Sequence, residues 1–164
     1  MHPTHQQEVV RAAVVTLSDT RTVETDKGGQ LIQQLLTQSD FFVSDYVILK
    51  DDVDVLRQTL KAYSSDASIN TIILTGGTGF TKRDVTFDAV SEIIEKEMTG
   101  FGELFRQLSY EEIGPKAMFS RAIAGSVNET AIYALPGSSN AVTLGMTKLI
   151  LPTVQHFLGE LKRR

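Results

Sequence analysis

The residues with the clearest chemical meaning form the run Thr75-Gly76-Gly77-Thr78-Gly79, which directly follows the apolar stretch Thr71 to Leu74. Glycines at this density let the backbone turn tightly and bring main-chain N–H groups close to a ligand. Lys82 and Arg83 lie just downstream and add positive charge that a phosphate or other oxyanion would meet. A helix beginning behind the loop would point its positive end the same way. The glycine pair could equally serve only as a tight turn. Two familiar phosphate motifs are excluded: no G-x-x-x-x-G-K-[ST] string occurs, and G-x-G-x-x-G fails because its last position is Lys82.

Three acidic side chains stand out near this loop or at similar positions: Asp51, Asp84 and Asp88. Asp84 and Asp88 are four residues apart and are expected on one face of a helix that starts at Asp84. Two roles fit them: capping and dipole stabilisation of that helix, or holding Mg²⁺, which takes carboxylates together with substrate phosphates. Pro136-Gly137-Ser138-Ser139 is a second turn between a strand and a helix, and so a second candidate anion site. Other chemistries have little support. Cysteine is absent, no His/Glu cluster has zinc spacing, and no G-x-S-x-G elbow occurs. His156 is expected to be structural or solvated.

These residues need a scaffold, and the apolar patterning supplies one. Strands are expected at Ala12 to Leu17, Phe41 to Leu49 and Thr71 to Leu74. Helices are expected from about Lys27 to Gln38 with Asp26 as cap, after Asp51 or Asp52, and from Asp84 to about Met98. On the second helix Val53, Leu56, Leu60 and Tyr63 recur on one side. This alternation with short connections calls for a mostly parallel sheet with helices on both faces, a three-layer α/β/α sandwich. Further on, Phe101 to Glu112 reads as a helix, and Pro115 suits the first turn of a short one. Ala122 to Val127 and Ala131 to Leu135 flank Asn128-Glu129 as an antiparallel hairpin. A helix follows, capped by Ser138 or Ser139, and Pro152 is expected to break it before a last amphipathic helix. Parallel sheets bind ligands beyond the carboxyl ends of their strands, where Ser18-Asp19, Lys50-Asp51-Asp52 and Thr75 to Asp84 all fall.

The chain divides into a polar N-terminal arm, residues 1–10, which includes His2 and His5, and one domain over residues 11–164. A net charge of −4 argues against a nucleic-acid surface. No run is long and apolar enough for a membrane span, and no signal peptide is evident. A cytoplasmic location is expected.

Several blocks taken together are more specific. VTLSDT at Val15 to Thr20, DKGG at Asp26 to Gly29, LTGGTGFTKRDVTFDAV at Leu74 to Val90, GFGELFRQLSYEEIG at Gly100 to Gly114, SRAIAG at Ser120 to Gly125 and LPGSSNAV at Leu135 to Val142 resemble the MoaB/MogA family of molybdenum cofactor biosynthesis. The resemblance runs from about Arg11 onward, with the blocks in the family's order, and is closer to the MoaB branch. It implies a molybdopterin-binding fold, a homotrimer or homohexamer, and partners among other molybdenum cofactor biosynthesis proteins. It implies an activity, too: AMP transfer from Mg-ATP to the terminal phosphate of molybdopterin, giving adenylyl-molybdopterin and pyrophosphate. The alternative it implies is a non-catalytic molybdopterin-binding or carrier protein. Carried over by motif, Asp51 and Asp84 match the family's essential acidic positions and its Mg²⁺ ligands. Ser18, Asp19, Thr75, Gly76, Gly77, Thr78, Gly79, Pro136, Gly137 and Ser138 match its substrate-binding turns. If a trimer forms, an apolar patch is expected to survive on one face, in the segment Phe101 to Phe119.

Overall fold

A computed structural model describes residues 8–163, so His2 and His5 lie outside the described residues, as does most of the N-terminal arm. Six strands form one sheet in the order β2-β1-β3-β6-β5-β4. They are β1 (Arg11–Leu17), β2 (Phe42–Leu49), β3 (Thr71–Thr75), β4 (Lys96–Glu97), β5 (Ile123–Val127) and β6 (Thr130–Leu135). β2, β1, β3 and β6 run parallel, while β5 is antiparallel to both β6 and β4. The expected hairpin is present, with Asn128 at φ 54° in its turn, a conformation asparagine tolerates well.

Side-chain alternation along the strands makes the three layers. Ala12 and Val14 of β1, Ile73 of β3 and Tyr133 of β6 point to one face. There they meet α1 (Lys27–Gln38), α4 (Thr99–Ile113), α5 (Ser139–Gly145) and α6 (Leu151–Lys162). Ala13, Val15, Ile72, Leu74 and Ile132 point to the other, against α2 (Val53–Ser64) and α3 (Thr86–Ile93). Ile32 and Leu36 of α1 and Leu56, Leu60 and Tyr63 of α2 are buried, as their spacing predicts. Among the described residues no helix is long and apolar enough to cross a membrane. Glu8, Val9 and Val10 are tied down: their carbonyls accept from Gln155, Asn70 and Phe42, and Val10 is buried.

Two expectations about helices are corrected. The third helix spans Thr86–Ile93, not Asp84 to Met98. Asp84 is occupied in closing a turn with Thr81, and the backbone becomes extended at Ile94 so that Glu95 and Met98 bond to β5 at Ser126 and Ala124. Asp84 and Asp88 therefore do not share a helix face. Nor does Pro152 break the last helical run. The chain passes through a π turn at Met146–Ile150, and Pro152 sits in the first turn of α6, where its missing N–H is tolerated. The segment Gly114–Phe119 is a 3₁₀ turn with Pro115 at its start, just after Gly114.

Candidate functional site

The register of the parallel strands brings their carboxyl ends level. Leu17 of β1 is opposite Leu49 of β2, Thr16 is opposite Thr75 of β3, and Thr75 is opposite Leu135 of β6. The loops that follow therefore leave the sheet at one height. Main-chain bonds seal the junctions: the Ser18 N–H donates to Leu49 O at 2.8 Å, and the Gly76 N–H donates to Leu135 O at 2.9 Å.

The glycine loop is held mainly by backbone. Gly76 and Gly77 have φ of 95° and 70°, a region that glycine enters without steric cost. A Cβ on Gly76 would stand 2.5 Å from Leu17 O, so the loop's approach to β1 leaves no room for a side chain. Thr75 is buried, and its hydroxyl donates to Pro136 O at 3.0 Å, joining the two candidate turns. From the far side, the Thr86 hydroxyl donates to Gly76 O at 2.8 Å and its N–H to Gly77 O at 3.0 Å. Thr78 is buried and Gly79 lies against the Asp84 carboxylate.

A cleft of about 260 Å³ opens between the loops, lined by Ser18, Arg21, Asp26, Gly76, Gly137 and Ser138 with the ends of β1 and β3. The Ser18 hydroxyl accepts from the N–H groups of Thr20 and Arg21 at 3.2 and 3.0 Å, which shapes the β1 loop. Ser138 caps α5 through Ala141 N–H at 3.1 Å. Asp26, only 1 % exposed, caps α1 by accepting from Gly29 N–H at 3.0 Å. Its other oxygen accepts from the Thr16 hydroxyl at 2.6 Å and the Tyr46 hydroxyl at 2.5 Å, so a buried carboxylate ties β1, β2 and α1 together beneath the cleft. Burial, reinforced by Asp26, pushes the Tyr46 phenol well above its usual range. That keeps it a hydrogen-bond donor.

Beside the cleft stands an acidic group. Asp52, not Asp51, caps α2, accepting from Asp54 and Val55 N–H at 3.0 and 3.2 Å. Asp51 is thereby released from capping. Its N–H donates to Asp19 Oδ1 at 3.1 Å, and Asp19 Oδ2 pairs with Arg83 at 3.4 Å. Burial raises the Asp51 carboxyl above its ordinary value, the charges of Asp19 and Asp84 raise it further, and Arg83 opposes them. Asp84 Oδ2 accepts from the Thr81 N–H and hydroxyl at 2.9 and 2.7 Å. Among the described residues no three acidic or histidine side chains converge closely enough to cage a metal alone.

The structure thus gathers eight of the twelve sequence-predicted residues into two adjoining groups, with Gly77, Thr78, Gly79 and Pro136 in neither. Ser18, Thr75, Gly76, Gly137 and Ser138 line the cleft, while Asp19, Asp51 and Asp84 form the acidic group. Pro136 and Thr78 contribute carbonyls that fix loops. Nothing in the sequence marks Arg21, Thr86 or Arg121 for a role, and Asp26 reads there only as a cap.

A family model described as "Probable molybdopterin binding domain" matches residues 13–156. The chain is 48% identical over 164 residues to "Molybdenum cofactor biosynthesis protein B" of Bacillus cereus, covering 99% of this chain and 97% of that one. It is 49% identical over 157 residues to the protein of the same name from Staphylococcus aureus, covering 94% and 93%. A crystal structure of "Molybdenum cofactor biosynthesis protein B" superposes with a TM-score of 0.92 at 49% identity, covering 96% of this chain and 98% of that one. The "tungsten cofactor synthesizing protein MoaB from Pyrococcus furiosus" superposes at 0.83 with 34% identity, covering 95% and 99%. On the family match over residues 13–156, the identity to these relatives and the superposition, the chain belongs to the MoaB/MogA family of molybdenum cofactor biosynthesis proteins.

Proposed function

We propose that the protein acts in molybdenum cofactor biosynthesis as a molybdopterin adenylyltransferase, using Mg-ATP. The observation that carries this reading is the contact between two kinds of chemistry at one height of the sheet. A cleft floored by glycine backbone, with Arg21, Ser18 and Ser138 at its walls, adjoins the Asp19–Asp51–Asp84 group. The first suits a phosphate, and the second suits the cation that accompanies a nucleoside triphosphate.

In the reaction an oxygen of the molybdopterin phosphate attacks the α-phosphorus of ATP. A new P–O bond forms, the bond from the α-phosphorus to the bridging oxygen breaks, and pyrophosphate leaves. A phosphate nucleophile is already ionised at neutral pH, so a site without a general base is adequate. What remains is to position two anions against each other and stabilise the charge that accumulates between them. The loop amides and Arg21 serve the first task. Asp51 and Asp84 would serve the second by holding Mg²⁺, a hard cation that carboxylates bind together with substrate phosphates. Burial first, and then the neighbouring charges of Asp19 and Asp84, disfavour the ionised Asp51 carboxyl, and a divalent cation placed there would offset both. Bound there, Mg²⁺ would supply charge neutralisation at the phosphates.

The test is incubation of the purified protein with molybdopterin and Mg-ATP, followed by assay for adenylyl-molybdopterin and pyrophosphate. Asp84→Asn should keep pterin binding and lose transfer. Tight pterin binding by the wild type with no AMP transfer would reject the transferase and assign the chain the role of a non-catalytic carrier. A homotrimer or homohexamer forms part of the proposal, as do partners among other proteins of the pathway. Along α4 and the 3₁₀ turn, Leu104, Tyr110, Ile113, Met118 and Phe119 are exposed and give such an assembly an apolar surface to cover.

A further inference from the structure

Arg121 precedes β5 and keeps only 23% of its side chain exposed. Its bonds converge on the loop that carries Asp84, some forty residues earlier in the chain. The main-chain N–H donates to Thr78 O at 2.9 Å, Nε donates to Gly79 O at 3.0 Å, and Nη2 donates to Asp84 O at 3.4 Å. Nη1 meets the Asp88 carboxylate at 3.5 Å. The guanidinium carbon also lies over two rings, 5.1 Å from the Phe80 centroid and 4.8 Å from that of Phe87.

The arrangement uses what distinguishes arginine from lysine. A planar guanidinium offers donors in several fixed directions and stacks on aromatic faces, whereas an ammonium is a compact point charge. Here the donors bind carbonyls on both sides of the Thr81–Asp84 turn, at Gly79 and Asp84. That turn is in itself a local structure, made by Thr81 donating to the Asp84 carboxylate and by Asp84 N–H donating to Thr81 O at 3.0 Å. A local turn fixes its own shape but not its place on the protein. Arg121 supplies partly buried long-range bonds that do, beside the exposed ion pair between Arg83 and Asp19.

We infer that Arg121 is the positioning residue for Asp84, anchoring the Gly79–Asp84 turn to the start of β5 and thereby setting where the Asp84 carboxylate stands relative to Asp51. Its kinetic consequence rests on the transferase reading, but the anchor itself belongs to the unliganded chain. The two can be tested separately.

The experiment compares wild type with Arg121→Lys, Arg121→Met and Phe80→Leu. Phe80 is 68% exposed, so its replacement leaves the core intact and keeps the comparison available if an arginine variant fails to fold. Amide hydrogen exchange on the unliganded protein should rise about tenfold or more across residues 78–85 in both arginine variants, with a smaller rise in Phe80→Leu, while β1, β3 and β6 keep their protection. In the transfer assay Arg121→Lys should lower kcat on the order of 100-fold, with KM for molybdopterin and the stoichiometry of pterin binding unchanged. Unchanged exchange at residues 78–85 would overturn the inference, as would a loss of pterin stoichiometry that accounts for the loss of rate. If the wild type transfers no AMP, the transferase reading falls, and the exchange data alone decide whether Arg121 is the anchor.

Discussion

Thr86 donates its hydroxyl to the Gly76 carbonyl at 2.8 Å, so the first residue of α3 fixes the glycine loop from the side away from the cleft. The loop's N–H groups are held in position by carbonyl contacts behind them. The chemistry at the front depends on a threonine that no ligand needs to touch.

Replacing Thr86 with valine keeps the shape and removes the bond. The Gly76 carbonyl would lose a partner at a buried side chain, a change that costs about 1–3 kcal/mol. Urea unfolding should show the loss. Calorimetry should show weaker binding of molybdopterin, or of inorganic phosphate as a probe. A variant with wild-type stability and affinity would mean the loop holds its shape without Thr86.

Gly76→Ala tests the backbone directly. Alanine would have to adopt a φ of 95° with its Cβ 2.5 Å from Leu17 O. Strain of this kind costs about 1–3 kcal/mol, and the close contact adds to it. The expected result is a lower unfolding midpoint together with loss of phosphate binding.

Asp51 gives a pH signature. Its folded pKa is raised above the ordinary value of 3.8, so folding favours the protonated form. The stabilisation is fully present below the unfolded pKa and is lost as pH rises through the folded one. Asp51→Asn, which cannot ionise, should therefore gain stability relative to wild type as pH is raised from about 3 to 7. Denaturant midpoints measured across that range check the trend. Added Mg²⁺ should raise the wild-type midpoint at neutral pH and leave that of the variant nearly unmoved.

Tyr133 places a buried hydroxyl where it finds no hydrogen-bond partner among the described residues. Its ring packs edge-on against Phe101 and Phe157. Tyr133→Phe keeps the rings and removes an unsatisfied polar atom, so the protein should be unchanged or stabilised by about 1 kcal/mol in urea unfolding.

Sedimentation should find an assembly of three or six chains. Leu104→Glu with Met118→Glu should shift it toward the 18.1 kDa monomer, because both are exposed apolar side chains, one on α4 and one on the 3₁₀ turn. A wild-type protein that sediments only as a monomer would contradict the proposed assembly.

Much of this architecture could be read locally. The Asp26 cap, the one-sided apolar pattern of α2 and the Asn128 turn each act over a few residues, and the sequence displays them directly. The sequence overstates the C-terminal end of the third helix because Ile94 continues the spacing of Val90 and Ile93. It does pack with them on the same side of the sheet, but from extended backbone. The site itself was only half legible. Glycines and aspartates announce themselves by type, whereas Thr86 looks like any helix residue. Arg121 reaches Gly79 only because the β5–β6 hairpin folds back beside the loop. Asp26 carried a second role that its capping position concealed, since Thr16 and Tyr46 come to it from two different strands.

The two outer strands have a consequence of their own. In the pairing of β1 with β2 the register shifts, with Ala12 opposite Val43 and Ala13 opposite Asp45, which leaves Ser44 as an extra residue in the outermost strand. At the opposite end β4 is two residues long, a lysine followed by a glutamate. A kinked border on one side and a short, charged one on the other deny incoming chains a straight template for zipping on, so the protein is guarded against fibrous aggregation.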